Sequence, residues 1–215
     1  MHEADLRFRD RRDAGRALAG EIAALSLDHP IVLALPRGGV PVAEEVASRL
    51  DAPLDVIVAR KIGMPGQPEY AIGAVAEGSD GVVLRQRAEE LGLTKERLAR
   101  SVEQAMDEVR RRVDVYRGGR PLPDLTGRTA IVVDDGLATG ATAEAAVLSV
   151  RALRAAEVVL AVPVGAPETV RRLGHDMRVV CLSTPERFTA VGLWYDDFDQ
   201  TTDAEVLRIL DAHRR

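Results

Sequence analysis

Cysteine, lysine and aromatic side chains are scarce in this chain, and no long apolar run occurs. The lone Cys181 cannot close an internal disulfide, and the opening MHEADLRFRD has no apolar region of the secretory type, so a reduced, cytoplasmic protein is expected. No window approaches the ~18 consecutive apolar residues that span a bilayer, so a membrane is not an expected partner. Basic charge is not in excess either. The 29 Lys and Arg are scattered among 34 Asp and Glu, for a net charge of -5, which argues against nucleic acid and anionic lipid as partners. The four histidines, His2, His29, His175 and His213, show no zinc-ligand spacing. Cys181 lies in an apolar run without a base partner and reads as core packing. Internal repeats and low-complexity tracts are absent, and no GxGxxG follows the first strand-like run, which weighs against a dinucleotide fingerprint.

What is present is 215 residues, 46% of them hydrophobic, enough for one sizeable core and short for two. Short apolar runs recur at 31–35, 54–59, 130–133, 158–164 and 177–182. Segments with helical spacing separate them, at 11–25, 40–50, 142–153 and 168–173. This alternation predicts an α/β fold, a mostly parallel sheet flanked by helices, with Gly38, Gly39, Gly136 and Gly140 at strand-to-helix turns. Two segments depart from it. AIGAVAEGSDGVVL (71–84) reads as an antiparallel edge hairpin around GSDG. The stretch 94–117 puts Leu98, Val102, Ala105, Met106, Val109 and Val113 on one stripe of a helix over ~30 Å long, with Thr94 as N-cap. Arg110, Arg111 and Arg112 fall on its solvated face, the stripe is a candidate homodimer interface, and PLPDLTGR (121–128) reads as a linker.

The chemistry concentrates in two loops. IVVDDGLATGAT (131–142) brings Asp134 and Asp135 to the end of a buried strand, then turns through small residues into a helix. A helix N-terminus there offers unpaired amides to an anion, Gly140 and Ala141 allow close backbone approach, and Thr139 and Thr142 add hydroxyls. The carboxylates suit sugar hydroxyls or a divalent cation. LPRGGVP (35–41) likewise leaves a strand for a helix, offering Arg37 and the Gly38 and Gly39 amides to an oxyanion.

VVDDGLATGAT resembles the phosphoribosyl-pyrophosphate (PRPP) signature of type I phosphoribosyltransferases. The resemblance covers 31–198, closest to bacterial proteins of that family whose acceptor is undefined. It implies a Rossmann-like core, about 28–182, within a single domain 1–215. It also implies a long-helix insertion at about 86–117 and a small C-terminal hood at about 183–215, joined by the N-terminal helix. Asp134 and Asp135 would contact the ribose 2- and 3-hydroxyls, and Ala138, Thr139, Gly140, Ala141 and Thr142 would cradle the 5-phosphate. Arg37, Gly38, Gly39, Arg60 and Lys61 would meet the pyrophosphate, with a cis peptide at Pro36–Arg37. Lys61, Asp134 and Asp135 are the candidate catalytic residues, and a mobile lid is expected over 63–70, which contains MPGQPEY. Glu69 and Glu77 carry no assigned role.

The hood segment FTAVGLWYDDF is similar to that of hypoxanthine and guanine enzymes. Phe188, Val191 and Trp194 become acceptor-site candidates, Val191 and Gly192 framing the base, and Asp196 would face a metal. One departure stands out: the purine-handling aspartate of those enzymes is replaced here by Ala138, as in adenine enzymes. Taken together, the resemblance implies transfer of ribose 5-phosphate from PRPP, with Mg2+, to a small nitrogenous acceptor. The competing reading is a non-catalytic PRPP- or nucleotide-binding regulator of the same fold.

Overall fold

In the computed structural model, which describes residues 6–65, 67–78, 82–84 and 92–213 (67–70 and 82–84 as backbone), two sheets share one chain. Helix α1 (Arg11–Ala23) precedes strand β1 (Ile31–Ala34), helix α2 (Gly39–Leu50) and strand β2 (Leu54–Val56). Strands β3 (Ala59–Met64), β4 (Gln67–Ala76) and β5 (Val82–Leu84) follow, then the long helix α3 (Lys95–Arg117). The chain continues through β6 (Thr129–Val133), α4 (Ala141–Ala152), β7 (Glu157–Val164), α5 (Pro167–Gly174) and β8 (Arg178–Ser183). A short 3-10 turn (Val191–Trp194) and helix α6 (Asp203–Ala212) complete it.

The main sheet is parallel throughout, in the order β2-β1-β6-β7-β8, and its inner strands are buried on both faces as their unbroken apolar runs require. Alternation sorts the side chains. Val32, Ala34, Ile131, Val133, Val159 and Ala161 pack with α1, α2 and α6 on one face. Ile31, Leu33, Ala130, Val132, Leu160 and Val162 meet α4 on the other. Helix α1 crosses α2 at Gly15, where a Cβ would lie 2.7 Å from the Val42 carbonyl oxygen. Side chains cap three helices as local sequence demands: Asp10 accepts from the Asp13 amide, Thr94 from Arg97 and Thr202 from Glu205.

Four expectations change. The run 54–59 is not one strand: β2 ends at Val56 and β3 begins at Ala59 in a second, antiparallel sheet of order β3-β4-β5. A buried ion pair makes the break possible. Glu77 accepts the Val58 amide at 2.8 Å, Arg117 donates to the Val56 carbonyl at 3.1 Å, and the two side chains pair with each other. Glu77 thus has a structural role. Second, most of the segment 63–70 lies within strands β3 and β4, Gly63 pairing with Ala71 and Met64 with Gln67 across register shifts on either side of Gly63. Third, the apolar stripe of α3 packs on β3, β4 and α6 of the same chain, which buries Ala105 and Val109 and leaves Leu98, Val102, Met106 and Val113 half-buried. Fourth, α6 was not anticipated, although Val206, Ile209 and Leu210 follow a Thr202 cap at helical spacing.

The edge hairpin, Arg110 to Arg112 in intrahelical ion pairs, and Cys181 packed at the core all stand as expected. The GSDG turn beyond Gly78, the start of the long-helix insertion, Gly66 of the lid and the last two residues of the hood lie outside the described residues.

Candidate active site

In the main sheet the chain moves from β1 outward to β2 and from β6 outward to β8, so the strand order reverses between β1 and β6. Ligands of open α/β sheets bind at the carboxyl ends of the strands flanking such a reversal. Both small-residue loops leave from there: 35–39 after β1 and 134–140 after β6, tied by a 2.8 Å bond from the Leu35 amide to the Val133 carbonyl. Their contact needs the two glycines. A Cβ on Gly39 would sit 2.6 Å from the Val133 oxygen, and one on Gly38 would sit 1.9 Å from Asp135 Oδ2.

Asp134 and Asp135 lie side by side, and Asp134 Oδ1 accepts the Asp135 amide at 2.9 Å. Burial pushes the Asp134 carboxyl well above its usual range, and the neighbouring Asp135 charge pushes it further. Asp135 is raised too, chiefly by burial, although Arg11 opposes the shift. Arg11 Nε donates to Asp135 Oδ2 at 2.9 Å, with both side chains largely covered. A two-carboxylate pocket with one cation favours what brings hydrogen-bond donors or positive charge to it.

The next loop is held from behind. Thr169 Oγ1 donates to the Ala138 carbonyl at 2.7 Å, and Arg172 donates to the Thr139 carbonyl at 3.2 Å while pairing with Glu144 at 3.0 Å. Gly140 adopts φ 76, where only glycine is unstrained, and opens α4. Ala138 and Thr139 are exposed, Thr142 is half-buried, and the first-turn amides of α4 have no carbonyl four residues back inside the helix. A helix opening of this kind can offer amides to an anion, and it stands directly after the acid pair.

On the β1 side the Pro36–Arg37 bond is cis, as anticipated. The Gly39 amide is already donated to the Leu35 carbonyl at 3.1 Å, so Gly39 serves close approach and is not a free donor. Arg37 lies 3.9 Å from Asp203 at the start of α6, and Asp203 also accepts the Tyr116 hydroxyl at 2.6 Å.

The profile of the family described as "Phosphoribosyl transferase domain" matches residues 10–196. The chain belongs to that family.

Two relatives from Mycobacterium tuberculosis, strains CDC 1551 / Oshkosh and ATCC 25618 / H37Rv, are provisionally named phosphoribosyl transferases. Each is 51% identical over 211 residues, 96% of this chain and 47% of the relative. The chain spans about half the length of the curated relatives it matches. Among solved structures, TT1426 from Thermus thermophilus is 48% identical with a TM-score of 0.82, over 95% of this chain and 97% of that one. The AQ2163 protein from Aquifex aeolicus, 14% identical, shares the fold at a TM-score of 0.52, over 85% of this chain and 78% of that one.

Within this phosphoribosyl transferase domain the remaining candidates fall in different places. Adjacent strand residues face opposite ways, and Arg60 turns toward α3, 3.7 Å from Glu108. Lys61 is exposed on the other face of β3, shared with Ala59, whose neighbours include α4. The resemblance implies a shared pyrophosphate role for the two, and the pleat turns their side chains to opposite faces of β3. Val191 sits on the acid-pair loop itself, since a Cβ on Gly136 would lie 2.5 Å from Val191 Cγ1. Phe188, Trp194 and Phe198 pack with Phe8, Val164 and Tyr195 in a small hood cluster, and the buried Trp194 Nε1 has no hydrogen-bond partner among the described residues. Asp196 is exposed and pairs with Arg7 at 2.7 Å, its amide bonded to Phe8, so its recorded contacts run to the N-terminal segment.

Two contributors went unseen in the sequence. Arg11 lies 124 residues from its partner Asp135, and the Tyr195 hydroxyl donates at 2.6 Å to the Asp135 carbonyl. Neither has a local signal.

Proposed function

We propose that this domain binds PRPP and transfers its ribose 5-phosphate to a nitrogenous acceptor of the nucleobase class, releasing pyrophosphate. One observation carries the reading: a half-buried acid pair and a helix-terminal amide cradle succeed each other on one loop, facing an arginine loop across the sheet reversal. Asp134 and Asp135 would accept the ribose hydroxyls, and 138–142 would donate amides and hydroxyls to the 5-phosphate. Arg37 and the Gly38 amide would stabilise charge developing on the leaving group, with Lys61 reaching it from β3. The half-covered acid pair would tolerate positive charge at C1, and the hood at Val191 and Trp194 would keep water from the acceptor side.

Among the described residues no group of three or more His, Cys, Asp or Glu side chains could hold a metal ion. Mg2+ is expected on the diphosphate of PRPP, where it would neutralise leaving-group charge. Also among the described residues, no helix is long and apolar enough to cross a membrane.

Incubation with PRPP, Mg2+ and a panel of bases, following pyrophosphate release, tests the transfer. Calorimetric titration of the Asp134→Asn, Asp135→Asn double variant tests the site. Release with one base, together with loss of PRPP binding in a folded double variant, is expected. Binding without release against every base would favour the regulatory reading, and unaltered binding by the double variant would refute the site.

A further inference from the structure

Arg11 is the first residue of α1, far in sequence from both loops, yet three contacts gather on its guanidinium. Nε holds Asp135 Oδ2 at 2.9 Å, Nη1 holds the Asp199 carbonyl at 2.6 Å, and the group lies 3.9 Å over the Phe198 ring. Its side chain is 11% exposed and that of Asp135 16%, so the contact between them is largely shielded from water and salt. A Cβ on Gly38 would also come within 3.2 Å of Nε, so the same group borders the arginine loop. Tyr195 secures the Asp135 backbone from the hood side.

We infer that Arg11 is a positioning residue: it orients the Asp135 carboxylate for a sugar diol and locks the hood against the acid pair through Phe198 and Asp199. The inference rests on the proposed ribose 5-phosphate site and goes beyond it by placing diol recognition under the control of α1. Without Arg11 the Asp135 carboxylate loses the cation that holds it and its fixed rotamer. The amide cradle at 138–142, backed separately by Thr169 and Arg172, keeps its geometry. Arg11 thus separates two halves of the site. Sugar discrimination depends on it and phosphate binding does not.

The test compares ribose 5-phosphate with 2,3-dideoxyribose 5-phosphate, which lacks both hydroxyls, by calorimetry on the full chain, with inorganic phosphate as a third probe. Wild-type protein is expected to favour the diol by on the order of ten- to a hundredfold, the usual scale of charged hydrogen bonds. Arg11→Met should bring that ratio close to one with phosphate affinity unchanged, and Arg11→Lys should recover part of it. A merely structural role would weaken all three ligands together and leave the ratio intact; that outcome overturns the inference. A wild-type protein that binds both sugars equally refutes the ribose 5-phosphate site itself, and Arg11's role with it. A preference that survives Arg11→Met refutes Arg11 alone. Should the Met variant fail to fold, Arg11→Gln, which keeps a donor without the charge, decides by the same ratio.

Discussion

Replacing Gly38 by alanine isolates the contact between the two loops. The added Cβ would stand 1.9 Å from Asp135 Oδ2 and 2.7 Å from its Cγ, whereas real Cβ atoms essentially never come within 3.0 Å of a neighbour. The carboxylate or the loop must therefore retreat by about 1 Å or more, the scale of misplacement that can cost a site roughly a hundredfold. Asp135 has little freedom to do so cheaply, because Arg11 holds its carboxylate at 2.9 Å and Tyr195 its carbonyl at 2.6 Å. Gly38 itself sits at φ -59, so alanine adds no backbone strain, and the perturbation falls on the Asp135 carboxylate and on its partner Arg11, whose Nε would lie 3.2 Å from the new Cβ. Calorimetric titration with PRPP and Mg2+ should show affinity reduced about a hundredfold, alongside a modest fall in Tm. Gly20→Ala is the control: nothing lies within 4 Å of its would-be Cβ, and in mid-helix it should stabilise by roughly 0.5–1 kcal/mol without touching affinity. PRPP affinity in Gly38→Ala equal to wild type would refute the reasoning that the glycine exists to admit the Asp135 carboxylate.

Arg117→Met leaves the buried Glu77 carboxylate, 9% exposed, with no guanidinium, and urea unfolding should show a loss of about 3–5 kcal/mol. Asp134→Asn should abolish sugar binding yet raise Tm at neutral pH. The raised folded pKa of Asp134 means its contribution to stability is present below the ordinary carboxylate range and is lost as pH rises, so the gap should close as pH falls toward 3.8. Glu108 is the opposite case: hydrogen bonds from Arg111, then Arg112, lower its pKa from 4.5 to about 2. Its stabilisation is present above 4.5 and is lost as pH falls through about 2, so thermal melts of Glu108→Gln should show a shallower acid decline in that window.

Much of the fold was legible because it is written in short periods. Strands buried on both faces need unbroken apolar runs, and 31–35, 130–133 and 158–164 became β1, β6 and β7 within a residue or two. Cap residues announced α3. The run 54–59 misled because apolar content does not say which sheet a residue joins; that depends on Glu77 and Arg117, a pair 40 residues apart. Of the site, the acid pair and the small-residue loop were readable, since a buried strand, two carboxylates and a glycine at φ 76 are local properties. The separation of Arg60 from Lys61 needed the location of α3, and Asp196 was claimed by Arg7 from the other end of the chain.

By itself, then, the sequence determined the strand and helix periods, the two close-approach loops and the order in which carboxylates and amides occur along one of them. Tertiary structure alone decided that β1 and β6 lie side by side, that Arg11 answers Asp135, and that the hood rests on Gly136 through Val191. The physical reason is range. Backbone sterics and side-chain periodicity act over three or four residues and leave their mark in any short window, whereas a buried charge takes whichever partner the packed chain brings to it.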